Sequence, residues 1–234
     1  MTARILVVQP SMSDPAGRVG SWLAEAGCSL SVVDCQRGQP VPASLAGFAG
    51  LVVLGGEMGA YDDELAPWLT PVKQLLREAV RADLPTLAIC LGHQLLAVAA
   101  GGEVATAATP QQGLVQVGVT EAGLADSLFF ELGGTAAVHW NNDLVVAAPA
   151  KAVVLATADE HVQAIRLRTC VYGVQFHPEV DAPTVTDWAR EDVEAGLAYE
   201  GETRARLDAI AAADQQLVST WRDFTLRFAG LLER

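Results

Sequence analysis

Cys90 ends an apolar, strand-like run, Leu84-Pro-Thr-Leu-Ala-Ile-Cys90, and leads directly into a helix-like run, Leu91-Gly-His-Gln-Leu-Leu-Ala97. A strand-to-helix turn of this kind lifts its central side chain clear of the backbone. The small residues Ala88 and Gly92 on either side keep the sharp turn from clashing. A thiol gains most from such a position, because the thiolate is the nucleophilic form and the partial positive charge at a helix N-terminus favours it. Alone, a cysteine in an apolar run is ordinary core material. A second run, Val171-Tyr-Gly-Val-Gln-Phe-His177-Pro-Glu179-Val, changes that reading. In an extended segment residues i and i+2 share a face, so Glu179 can lie against one nitrogen of His177 while the other faces outward. Cysteine, histidine and carboxylate then form a nucleophile, a general acid/base and a group that fixes the imidazole tautomer. That is the logic of a hydrolytic triad.

Such a site also needs donors for a developing oxyanion. The elbow geometry assigns one to the backbone N–H of Leu91 and a second to the loop at Gly55-Gly56, where glycine lets a backbone amide approach a substrate closely. An ordinary strand-to-loop turn is the alternative for the glycine pair. Gln94 sits one helical turn after Cys90 on the same face, which suits either substrate contact or simple capping. His93 should turn away from the thiol and be structural or solvent-facing. His161 reads as an exposed turn residue, and Asp62-Asp63-Glu64 as a solvated acidic loop.

At these residues the chain resembles the class I glutamine amidotransferases. Ile89-Cys-Leu-Gly-His-Gln94 and Gly173-Val-Gln-Phe-His-Pro-Glu179 look like the two signature segments of that family. Leu51-Val-Val-Leu-Gly-Gly-Glu-Met-Gly-Ala-Tyr61 sits where the family carries its oxyanion loop. The resemblance spans about residues 3–180 and is similar in kind to the glutaminase domain of GMP synthase. It implies hydrolysis of the glutamine side-chain amide through a γ-glutamyl thioester, with ammonia passed to an acceptor-activating partner. It also implies that Gln94 binds the substrate's glutamyl group, and that His139, Trp140 and Asp143 lie on a loop near the substrate, with His139 the main competitor to His177 as base. Two departures stand out: Ala88 where the family often has glycine, and Glu57 where proline is common after the glycine pair.

Composition agrees with a single compact enzyme. The chain has 234 residues and 51% hydrophobic content, enough for a sizeable core. Fifteen basic against 28 acidic residues leave a net charge of −13, which argues against a nucleic-acid partner. The four cysteines, at 28, 35, 90 and 170, have neither C-x-x-C spacing nor a nearby paired histidine, so neither a metal nor a cofactor is expected. They read as reduced thiols. With no signal-peptide pattern and no membrane-length run, a cytoplasmic protein without membrane contact is expected.

The elements that must position these residues alternate between strand and helix. Short apolar strands are expected at Arg4–Val8, Ser29–Asp34, Gly50–Leu54 and Pro85–Ile89, and helices at Ala16–Ala26, Pro67–Arg81 and Leu91–Ala100. This is the pattern of a doubly wound, mostly parallel, flavodoxin-like α/β sheet with helices on both faces, whose site lies at the carboxyl ends of the strands. A small antiparallel layer is expected from Gly113–Val119, Thr135–His139, Ala152–Ala156 and Val162–Leu167. Leu217, Trp221, Phe224, Phe228 and Leu231 form one apolar stripe on a C-terminal helix. The chain thus divides into an amidotransferase-like domain at 1–195 and a helical extension at 196–234 packed on it.

The sequence has no G-x-x-x-x-G-K-[ST] loop and no S-G-G-x-D-S loop, hence no evident ATP site for activating an ammonia acceptor. Three functions follow as expectations. One is a glutaminase that serves a synthetase subunit made separately. Another is a free-standing hydrolase of γ-glutamyl amides or peptides. The last is a non-catalytic regulatory member of the fold, against which the presence of Cys90, His177 and Glu179 together argues.

Overall fold

A computed structural model of the chain describes residues 2–158, 161–196 and 200–233. Strand β1 (Arg4–Gln9), helix α1 (Gly17–Glu25), β2 (Ser29–Asp34), β3 (Gly50–Val53), α2 (Leu69–Ala82), β4 (Thr86–Ile89) and α3 (Leu91–Ala99) form the first half. β5 (Glu103–Gln116), β6 (Gly118–Val119), α4 (Glu121–Leu124), β7 (Ala136–Ala147), β8 (Val153–Ala158), β9 (His161–Leu167) and β10 (Val171–Val174) follow. Helices α5 (Ala182–Glu194) and α6 (Glu200–Ala229) close the chain.

The strands form one sheet in the order β2-β1-β3-β4-β10-β9-β7-β5, with β8 on β9 and β6 on β8. The pairs from β2 through β10 are parallel, as the doubly wound reading requires. Side chains alternate across a strand, and here that alternation separates two cores. Ile5, Val7, Val52, Leu87 and Ile89 face α1, α5 and α6. Leu6, Val8, Leu51, Val53 and Ala88 face α2 and α3. Helices therefore cover both faces.

The antiparallel strands extend the same sheet. β5 and β7 are 14 and 12 residues long, well beyond the short strands expected at Gly113–Val119 and Thr135–His139. Alternation fades along β5 because it is the edge strand, with polar residues facing solvent, and the ladder to β7 shifts register between Thr106 and Gln111, around Pro110. Helix α2 begins at Leu69, so its first-turn proline is Pro71 and not Pro67, and it ends on Asp83 in the left-handed region. The stripe Leu217, Trp221, Phe224, Phe228 and Leu231 is buried. Trp221 packs on Phe176 with ring centroids 4.8 Å apart. Among the described residues, no helix is long and apolar enough to cross a membrane.

Candidate active site

β4 and β10 lie side by side, with Ile89 paired to Val174, so the segments following them leave the sheet roughly 4.8 Å apart. Cys90 continues β4 and caps α3. Its own N–H donates to the carbonyl of Val174 at 2.8 Å, and its carbonyl accepts the N–H of Gln94 at 3.1 Å. Its backbone has φ +50° and ψ −108°, a strained conformation for a residue with a Cβ. Gly92 is required because α3 starts hard against the neighbouring strand: a Cβ there would stand 2.3 Å from the carbonyl oxygen of Val53. Ala88, paired with Val53 on β3, fits where the resemblance pointed to glycine.

Beyond β10, Gln175 donates its N–H to Gln163 and His177 donates its N–H to Val138, both at 2.8 Å. The backbone on either side of Phe176 is thus fixed by β9 and β7. The carbonyl of Glu179 accepts the N–H of Arg18 at 2.8 Å, and Gly17, at φ +45°, lies so close to that carbonyl that no Cβ would fit. Anchored at both ends, the segment sets His177 Nδ1 2.6 Å from Glu179 Oε1. Nε2 of His177 is buried. Burial works against a charged imidazole, but the Glu179 carboxylate and Cys90 outweigh it and hold the pKa of His177 well above its ordinary value. Trp188 of α5 packs on the imidazole at 4.8 Å between centroids and is itself held by its indole N–H to the carbonyl of Ser13.

Cys90 is 6% exposed and opens into a cavity of about 490 Å³. Gly56, Gln94 and Trp140 line that cavity too. Gln94 Nε2 donates to the carbonyl of Asp143 at 2.9 Å and to Gln175 Oε1 at 3.3 Å, while Gln175 Nε2 lies 3.6 Å from the Cys90 sulfur. Gly55 stands behind the cavity wall, where a Cβ would meet Asp14 Oδ1 at 2.6 Å and His177 Cε1 at 3.4 Å. The missing side chain makes room for Asp14. Leu91 opens α3, so its N–H belongs to the helix's first-turn donors.

Other expected positions move. His139 is buried at a ring distance of 6.0 Å from Phe176 and does not line the cavity. Among the described residues neither of its ring nitrogens has a partner, and burial, aided by the nearby His177, pushes its pKa down to about 3. It has no carboxylate to orient it as Glu179 orients His177. His93 is fully buried, as the structural of its two expected roles would have it, and burial lowers its pKa to about 4. His161 begins β9 half-buried and is no turn residue. In the acidic loop, Asp62 accepts the N–H of Gly59 at 2.7 Å and Asp63 pairs with Lys73 at 2.5 Å, so both carboxylates are engaged internally. Among the described residues, no group of three His, Cys, Asp or Glu could hold a metal ion.

Sequence reasoning passed over Asp14, Gln175 and Trp188. Asp14 lies on the loop after β1, at a strand's carboxyl end, where doubly wound sheets place their ligand contacts. Gln175 stands two residues before His177 in the quoted motif, and that spacing could have exposed it. Trp188 gave no signal beyond its place on the apolar face of α5.

The family model described as glutamine amidotransferase class-I matches residues 19–188. The chain belongs to this family. Its relatives include the glutamine amidotransferase-like protein YfeJ of Salmonella typhimurium, 28% identical with 78% of each chain covered. A subunit of the glutamine-hydrolyzing GMP synthase of Methanocaldococcus jannaschii is 37% identical over 56% of this chain and 64% of its own length. The chain therefore spans less than two thirds of that relative, and 54% of the corresponding GMP synthase subunit from Sulfurisphaera tokodaii. A solved glutamine amidotransferase from Thermotoga maritima shares the fold with a TM-score of 0.85 at 24% identity, covering 98% of this chain and 99% of its own. Another, from Methylobacillus flagellatus, has a TM-score of 0.84 at 25% identity, covering 100% and 95%. Membership of the family is consistent with hydrolysis of the glutamine amide.

Proposed function

We propose that this protein hydrolyses the side-chain amide of glutamine through a thioester on Cys90. The observation that carries the reading is the meeting of Cys90 and the His177–Glu179 pair at the ends of two adjacent parallel strands, with the thiol opening into a cavity. His177 takes the thiol proton and Glu179 holds the imidazole in place. The thiolate attacks the amide carbonyl, and the oxyanion meets the backbone N–H of Leu91 and one from Gly56. Collapse breaks the C–N bond as His177 protonates the departing ammonia. Water then gives its proton to His177 and its oxygen to the acyl carbon, releasing glutamate and the thiol. Gln94 and Trp140 contact the glutamyl portion. This chemistry uses no cofactor and no metal.

Relatives named as subunits of glutamine-hydrolyzing GMP synthases support a separate synthetase as the receiver of ammonia. Intact mass after incubation with a diazo-ketone analogue of glutamine tests the reading. Labelling is expected at Cys90 alone, suppressed by glutamine and absent from Cys90→Ala. Labelling elsewhere, or labelling that glutamine leaves unchanged, would remove it.

A further inference from the structure

The cavity is larger than one amino acid fills. At about 490 Å³ it falls within the roughly 300–1,000 Å³ of clefts that take drug-sized ligands. Its charge is one-sided. Asp14, Glu57, Asp143, Glu191 and Asp192 all line it, and among the described residues no lysine or arginine does. Arg206 is not part of the lining; it donates to Gln112 Oε1 at 3.0 Å and is also paired with Glu202.

Away from Cys90 the acidic wall is built as well as charged. Asp192 accepts both the indole N–H of Trp140 and Nε2 of Gln112, each at 2.8 Å and both on Oδ2, which fixes the carboxylate and leaves Oδ1 for a further donor. Asp143 is held through Oδ1 by the hydroxyl of Thr106 at 2.8 Å. An independent feature points the same way. Asn141, also in the cavity wall and 7% exposed, donates Nδ2 to the carbonyl of Asp143 at 3.2 Å, and among the described residues its Oδ1 has no partner. A buried acceptor without a donor is costly unless a bound group supplies the N–H. A carboxylate held against an indole, with an unfilled amide acceptor in the same cavity wall, suits an ammonium group.

We infer that the preferred substrate is a γ-glutamyl amide whose amine portion carries a second, cationic amino group, held against Asp192, Asp143 and Asn141 while Cys90 attacks the amide. This rests on the thioester chemistry proposed above and names its leaving group. Glutamine's own ammonium is balanced by its carboxylate, whereas such an amide carries a net positive charge that this cavity attracts. The bond changes are the same: the sulfur–carbon bond forms, the C–N bond breaks, His177 protonates the leaving diamine in place of ammonia, and water releases glutamate.

Turnover of four substrates by the full chain tests the inference: glutamine and the γ-glutamyl amides of butylamine, diaminobutane and aminobutyrate, the last three of similar reach with neutral, cationic and anionic ends. The diaminobutane amide is expected to exceed the butylamine amide at least tenfold in kcat/KM, and the aminobutyrate amide to fall below both. The ratio of cationic to neutral should shrink in high salt and in Asp192→Asn and Asp143→Asn. Because the readout is a ratio within one preparation, loss of folded protein does not imitate it. Hydrolysis of glutamine with no preference for the cationic amide overturns this inference and leaves the thioester chemistry standing. Failure to hydrolyse any of the four overturns both.

Discussion

Gly173 and His93 set the distance between β10 and α3: a Cβ on Gly173 would stand 2.6 Å from Nδ1 of His93. The imidazole is fully buried and uncharged, with burial pushing its pKa down to about 4. It acts as a spacer between the strand that leads to His177 and the helix that starts after Cys90. Gly173→Ala is expected to cost about 1–3 kcal/mol through overpacking, read from urea unfolding. Turnover should fall further than stability alone explains, because the strand and helix carrying the two reacting groups are forced apart. Full activity in folded Gly173→Ala would show that the contact has slack.

The His177–Glu179 pair gives a pH signature. With its pKa held well above the ordinary value, His177 binds its proton more tightly in the folded than in the unfolded chain. The resulting stability is fully present below about pH 6.5, the unfolded value, and is lost as pH rises through the folded pKa. Glu179→Gln is expected to be less stable than the parent at about pH 6, with the gap narrowing at alkaline pH, and its turnover should drop about 10²–10⁴-fold. Denaturant titrations across that range check the sign. A gap that widens with pH would contradict the assignment.

Asp14 acts in the same direction over a lower pH range. Burial, reinforced by Glu179 and opposed by His177, raises its pKa to about 6. The folded chain therefore holds this proton more tightly, and stability falls as pH rises from about 4 to 6. Asp14→Asn keeps the shape without the buried charge, so it should melt higher than the parent at pH values above 6, by up to about 3 kcal/mol, and equal it near pH 4. Melting curves at the two ends decide the matter. Equal shifts at both would point to packing instead of ionisation.

Trp221 ties the C-terminal helix to the base. Its ring packs on Phe176, the residue before His177, and meets Phe224 edge-on at 5.7 Å. Trp221→Ala is expected to cost about 3–5 kcal/mol and to lower turnover in whatever fraction remains folded, since Phe176 loses its support. A kcat that stays at the parent value in the folded fraction would separate the helix from the site.

The fold was legible where local rules dominate. Continuous apolar runs marked β1 to β4, and the stripe from Leu217 to Leu231 marked α6 as a packed helix. The lengths of β5 and β7 were not legible, because edge strands take polar residues that do not alternate. At the candidate site, motif spacing and strand periodicity both pointed to Cys90, His177 and Glu179, which lie at the ends of two adjacent strands. Asp14 and Trp188 could not be read this way, since their approach to His177 depends on how the β1 loop and α5 fold over the strand ends. Such contacts arise between elements far apart in sequence, and periodicity carries no trace of them. His139 misled for the same reason: its motif looked catalytic, but the β7 register turns it inward against Phe176.

β10, although it is the last of the described strands to be made, enters between β4 and β9 and not at an edge of the sheet. A chain still emerging during synthesis therefore has its thiol long before it has its imidazole, and β4 must wait with an open flank until β10 arrives. Pairing across so long an intervening stretch is slow to form. The insertion of β10 beside β4 is the one event that brings the sulfur of Cys90 and the imidazole of His177 to neighbouring strand ends.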